Sequence, residues 1–235
     1  MATSTEQAAT TTATHRGLDV KTESERYNDQ RRMWPSSGRH ILAHYDDSSI
    51  IVYQAFKSSI ADYAVKHQRF GGPDYKFERM TWIKTNFLWM MYRSGWATKP
   101  GQNRILAIRI SRDGFEKILA NAFTIELQKS KGLTSEDVNV RLQWDPDHSP
   151  NYHKQQRRAI QLGLKGEIVK KFSNDWILGI EDITDFVREQ HQVLKMEGEG
   201  KLQIPRERVY PVRNPGIAAR IALDIWDTDG PSFVS

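Results

Sequence analysis

The chain has 235 residues, 34 Lys+Arg against 29 Asp+Glu, a formal net charge of +5 and no cysteine. The missing cysteines exclude a disulfide scaffold, cysteine-ligated zinc, an iron–sulfur cluster and a thiol nucleophile. The longest wholly apolar run, Phe87–Tyr92, is too short to span a membrane, and the length fits one large domain.

Residues 1–25 are rich in Thr, Ala, Ser and Glu and too poor in apolar side chains to offset chain entropy, so a disordered tail is expected there. The tail lacks the apolar centre of a signal peptide and the Arg-rich, acid-poor composition of a presequence, so the expected compartment is cytoplasmic or nuclear. Ser49–Phe56, rich in β-branched and aromatic residues, reads as a strand. A short helix, Ile60–His67, follows and is broken at Arg69–Pro73. Met80–Lys84 reads as a short strand. Thr85 or Asn86 then caps a helix, Phe87–Ser94, that ends at Gly95. Arg104–Ile110 is the clearest strand, and Ser111 caps a helix over Asp113–Phe123.

Val138–Trp144 reads as extended, Asp145–Asn151 as a turn-rich loop, and Arg158–Leu164 as a strand weakened by Gly163. Then come a short helix at Glu167–Phe172, a strand at Trp176–Ile180, and an amphipathic helix, Phe186–Met196, capped by Thr184. A last helical turn is expected near Ile217–Leu223, and residues 226–235 as a flexible end. The elements lack a regular βαβ rhythm. The expected fold is a single α+β domain over residues 26–225, with one mixed, mostly antiparallel sheet and packed helices.

The charge is not evenly spread. Residues 79–112 hold seven basic side chains and no acidic one, which marks a site for anions. Within it, Arg79–Gln102 combines Arg79, Lys84 and Arg93 with Trp82, Trp89, Tyr92 and Trp96. Cations hold phosphates, and aromatic faces stack on planar rings. Each tryptophan taken alone is expected in the core, whereas the charged trio as a set is expected to hold a ligand. Gln102 closes this segment as a further binding candidate. Tyr53–Gln54 lies mid-strand, where a glutamine either faces water or has a buried partner; the exposed face is the expectation. Arg157, Arg158 and Gln161 place two cations and an amide on one strand. Asp145, Asp147, His148 and His153 match no standard metal spacing, so no metal is expected. No P-loop, GxGxxG, GxSxG or kinase set occurs.

Three stretches carry a resemblance: IVYQAF (Ile51–Phe56) with RFGGP (Arg69–Pro73); RMTWIKTNFLWMMYRSGWATKPGQ (Arg79–Gln102) with ILAI (Ile105–Ile108); and QWDPDH (Gln143–His148) with RRAIQLGLKG (Arg157–Gly166). The set resembles the uncharacterised domain-of-unknown-function family 4291, over roughly residues 26–225. Thr85 departs from the proline expected there, which leaves the turn before the helix less rigid. A weaker similarity at fold level is to ADP-ribosyltransferases, which place three polar strand residues around a cleft for NAD. That similarity implies catalytic roles at Tyr53–Gln54, Thr81–Trp82 and Gln161. Gln161 stands where a carboxylate is needed, so Glu167 is the implied substitute acid.

The leading expectation is a basic, Trp-rich cleft that binds a nucleotide such as NAD or another small anion, with a transferase activity implied only by the second similarity. Arg79, Lys84 and Arg93 would hold phosphate, Trp82 or Trp89 would stack, Tyr53 and Gln54 would contact ribose or amide, and Arg158 is a further ligand-binding candidate. One alternative is a nucleic-acid-binding module whose open basic stripe also recruits Arg206, Arg208 and Arg213. Another is a non-catalytic interaction domain with all the tryptophans in its core.

Overall fold

The computed structural model describes residues 19–21 and 23–225. In chain order it contains β1 (Ser24–Arg26), α1 (Tyr27–Arg31), β2 (Gly38–Arg39), β3 (Leu42–Ala43), β4 (Ser49–Phe56), α2 (Ser58–His67), β5 (Thr81–Lys84), α3 (Phe87–Ser94), β6 (Arg104–Ser111) and α4 (Arg112–Ala120). After these come β7 (Ala122–Phe123), α5 (Ile125–Ser130), β8 (Val140–His148), β9 (Lys154–Leu164), α6 (Gly166–Lys171), β10 (Ile177–Asp182), α7 (Thr184–Glu197), β11 (Gln203–Pro205), β12 (Arg208–Val209) and α8 (Pro215–Arg220). A π-helical turn, Phe172–Trp176, joins α6 to β10.

One eight-stranded sheet dominates, in the order β10-β6-β4-β5-β9-β8-β7, with β2 added on β9. Its pairs are antiparallel except β2–β9 and β7–β8. The fold is therefore α+β with a mostly antiparallel sheet. Helices cover both faces, and that explains the composition of the central strands. In β6, Leu106, Ile108 and Ile110 enter one core with α2, α4 and the π-helical turn. Ile105 and Ala107 enter a second core with α3 and α7. A strand buried on both sides needs apolar residues at both parities.

Several expected bounds shift for identifiable reasons. Asp145–His148 is strand rather than loop, because it continues β8 against β9 as far as the pair His148–Lys154. Thr184 does not cap α7. Its hydroxyl accepts the Ile105 N–H at 2.9 Å, while Asp182 accepts the Thr184 N–H. Helix α5 and the strands before Ser49 carry too little apolar periodicity to be read. Val20 is buried and β1 pairs with β11, so these parts of the expected tail belong to the fold. Residues 1–18 and 226–235 lie outside the described residues, and so does the expectation of disorder there.

The N-terminal segment is pinned by a buried ion pair. Arg157 Nε and Nη2 donate to Asp147 Oδ2 at 2.9 and 2.6 Å, and Nη1 donates to the Pro35 carbonyl at 2.6 Å. The guanidinium also lies over Trp34, 5.2 Å from the ring centre. Truncating one partner leaves the other charge buried and unanswered. Asp147→Ala is expected to destabilise the fold by about 3–5 kcal/mol, read from the midpoint of chemical denaturation. A cost below about 1 kcal/mol would show that this pair is not the anchor.

Candidate functional site

Strands β4 and β5 are neighbours but share one register pair, Tyr53–Lys84. On its other side β4 pairs with β6 over all eight residues. Beyond Tyr53, β4 and β5 diverge, and a cavity of about 510 Å3 fills the gap. Gln54 bridges it. Its Nε2 donates to Thr81 Oγ1 at 2.6 Å and to the Trp82 carbonyl at 3.0 Å, so a side-chain amide replaces the missing ladder. Gln54 is buried, which corrects the expectation of an exposed face. The Trp82 carbonyl fixes the amide's orientation, and Oε1 is left buried without a partner among the described residues.

The floor comes from β5 and β9. Lys84 pairs with Gln161, which pairs in turn with Gln143, so these three side chains share one face. Gln161 Nε2 donates to Gln143 Oε1 at 2.7 Å and to Asp145 Oδ2 at 2.5 Å. Burial pushes the Asp145 carboxyl up, against the Gln161 hydrogen bond and the nearby Lys84. Opposite Trp82 stands Gly163. A Cβ there would meet Met80 Sδ at 2.5 Å and the Trp82 ring at 3.0 Å, so glycine gives that indole room on the cavity wall.

Helix α3 supplies the other wall, with Met90 and Arg93 one turn apart. Its start is held twice. Asn86 Oδ1 caps it by accepting the Trp89 N–H at 2.6 Å. The fully buried Glu207 carboxylate accepts the Phe87 N–H at 2.6 Å and a proton of Asn86 Nδ2 at 3.3 Å. Glu207 has no motif context and was not foreseen from the sequence. Burial raises its carboxyl well above the usual range, against the bond from Phe87. The segment before β5 brings Asp74, Lys76 and Arg79 to the rim, fixed by Tyr75 stacked on Phe70 at 5.0 Å.

Of the expected residues, Gln54, Arg79, Trp82, Lys84, Arg93, Gln102 and Gln161 line this cavity. Four do not. Tyr53 is buried in the second core, its ring edge-on to Phe87 at 5.7 Å. Trp89 is buried, and its indole lies 5.1 Å from Lys84 Nζ, where it supports the lysine rather than a ligand ring. Arg158 lines a separate cavity of about 480 Å3 with Arg39 and Trp144. Glu167 is exposed on α6 and paired with Lys170 at 2.8 Å, which removes the implied acid from the cleft. Asp147 is committed to Arg157, and the His148 ring stacks on Tyr92 at 3.6 Å.

The acid-free block divides in two. Arg104 is neutralised by Asp62 and Asp182, and Arg112 is buried against Tyr210 and the Asp46 carbonyl. Lys99 Nζ donates to the Tyr92 and Arg93 carbonyls, and Arg109 to the Leu178 carbonyl. Arg79 and Arg93 are exposed on the rim, and their guanidinium groups meet no carboxylate within ion-pair distance among the described residues. Asp74, the carboxylate on that rim, is taken by Lys57 at 3.1 Å.

A family model described as Domain of unknown function (DUF4291) matches residues 40–210, the stretch that contains the cavity and Glu207. No curated protein matches the chain.

Lys84 has an ammonium pushed down from 10.5 to about 7, first by burial, then by Arg93, with Asp145 opposing. The unfolded chain keeps this proton to about pH 10.5, while the folded chain releases it near 7. Between those values the unfolded state binds more protons, so this group's contribution to stability improves as pH rises. Below pH 7 the folded state carries the whole penalty. Lys84→Met is expected to raise stability near pH 6 by about 2–5 kcal/mol, with the gain fading towards pH 10.5. Urea denaturation at the two ends of that range measures it, and an equal gain at both ends would contradict the buried-amine account.

Proposed function

We propose that this chain, which belongs to the DUF4291 family, binds a nucleotide-sized anion in the cleft between β4 and β5. The observation that carries this reading is one cavity with two guanidinium groups on its rim that meet no carboxylate among the described residues. Such groups are the natural partners of phosphate, which they grip bidentately. The volume falls in the range of small-molecule and cofactor sites. Trp82 offers a ring face on the wall, and Gln54 and Gln161 offer amides, so a ligand with phosphates at one end and a hydrogen-bonding sugar or base at the other fits the wall chemistry. NAD and other nucleotides have that form. Arg79 and Arg93 take the phosphate, Trp82 stacks, and Gln54 Oε1 accepts a hydroxyl or amide proton.

The reading stops at binding. Glycosyl transfer through an oxocarbenium-like state needs a carboxylate at the sugar, and Glu167 is spent on Lys170 outside the cleft. The polymer alternative asks for a continuous basic stripe. Arg206 is paired with Glu23, Arg208 with Glu25, and Arg213 with Asp113, so those three cations are already answered. A local, concave site is favoured over an extended groove.

Titration with NAD, ATP and GTP, followed by calorimetry and thermal shift, tests the proposal. At least one is expected to bind and raise the melting temperature. Arg79→Ala and Arg93→Ala should each weaken binding about tenfold or more while leaving the unliganded melting temperature in place. An intact protein that responds to none of the three overturns the reading. So does a response that both variants leave unchanged.

A further inference from the structure

The lysine on the cavity floor is placed unlike a phosphate clamp. Lys84 is 6% exposed, and no carboxylate reaches it within ion-pair distance among the described residues. Its Nζ has one long contact, 3.5 Å from the Trp82 carbonyl, besides the Trp89 ring face. The charged groups around it come from three directions. Arg93 faces it from α3, Asp145 from β8, and the loop before β5 brings Lys76, Asp74 and Arg79 to the same cavity. Asp145 is already engaged by Gln161, and Asp74 by Lys57. A desolvated lysine beside a guanidinium gives up its proton easily, and the free amine is a nucleophile towards carbonyl carbon.

We propose that Lys84 condenses with the carbonyl of a phosphorylated aldehyde or reducing sugar whose phosphate is held by Arg79 and Arg93, forming an imine. The inference rests on the anion-site reading and names a substrate class for it. The Nζ lone pair forms a bond to the carbonyl carbon, and the π pair moves to oxygen, which takes a proton from nitrogen to give a carbinolamine. Loss of that hydroxyl with the second nitrogen proton releases water and leaves C=N. No oxidant or reductant is consumed. Gln54 lines the same cavity, and its buried Oε1 has no partner among the described residues, so it gains a hydrogen bond if a donor such as a sugar hydroxyl reaches it. Burial of Lys84 also limits the water that would hydrolyse the product.

The probe is pyridoxal 5′-phosphate, a stable phosphorylated aldehyde, added to the wild-type protein with cyanoborohydride to reduce any imine to a secondary amine. Peptide mapping at neutral pH is expected to find the adduct on Lys84 in preference to exposed lysines such as Lys117 and Lys195. Unphosphorylated pyridoxal should label Lys84 about tenfold less, as should the phosphate probe on Arg93→Ala. Labelling of Lys84 should rise with pH up to about 7 and then level off. Lys84→Arg, shown folded by circular dichroism, should lose this adduct. Labelling confined to exposed lysines, while the probe still raises the melting temperature, overturns the nucleophile and leaves the anion site standing. Neither labelling nor a thermal shift overturns both. Equal labelling by pyridoxal overturns the phosphorylated class.

Discussion

A β-sheet opens to solvent where its ladder fails, and here the ladder fails between β4 and β5. One residue pair joins those strands, against eight on the other side of β4. The unpaired backbone still needs partners. Gln54 supplies one by reaching across to the Trp82 carbonyl, and the gap becomes a walled cavity instead of a defect. Every other feature of the site follows from that gap. Lys84 sits at the last paired position, Trp82 and Thr81 beyond it, and α3 lies over the opening.

Cations occupy three kinds of place in this fold. Cations that serve the scaffold are answered by carboxylates or carbonyls, as at Arg104, Arg157 and Arg208. Arg79 and Arg93 on the rim meet no carboxylate within ion-pair distance among the described residues. Net charge alone does not report this difference, because a paired arginine contributes as much to +5 as a free one. The local field depends on which cations lack a neighbour of opposite sign. The floor lysine belongs to a third kind, charged at a cost to folding and kept by the chain beside a guanidinium.

Much of the centre was legible in the sequence. β4 announced itself by a β-branched and aromatic run, β6 by an alternation that its burial on both faces does not follow, and α3 by Thr85 or Asn86 at its start and Gly95 at its end, of which the structure uses Asn86 and Gly95. The basic segment does converge on one cavity, because Arg79 lies just before β5, Lys84 ends that strand and Arg93 is on the helix after it. The sequence was silent where partners are distant. Gln54 reads as a surface residue until its bond to Trp82, 28 positions away, is known. The strand through Asp145–His148 looks like a turn because pairing with β9, rather than propensity, holds it extended. Tyr53 and Trp89, chosen for their chemistry, proved to be packing residues, since period-two and helical spacing say which residues share a face but not which face meets the cavity.

The tie between α3 and Glu207 has a bearing on when the cleft comes into being. The two partners are separated by 120 residues of chain. During synthesis the strand–helix unit that carries Lys84 and Arg93 emerges long before the carboxylate that receives its first amide. The ribbon that delivers Glu207 also runs against the N-terminal segment, through β11 with β1 and β12 with β3. The ends of the domain must therefore meet before the wall of the cleft is fixed. Such long-range closure slows folding and leaves apolar surface uncovered in the meantime. The cleft therefore takes its final form only after the segment carrying Glu207 has joined α3.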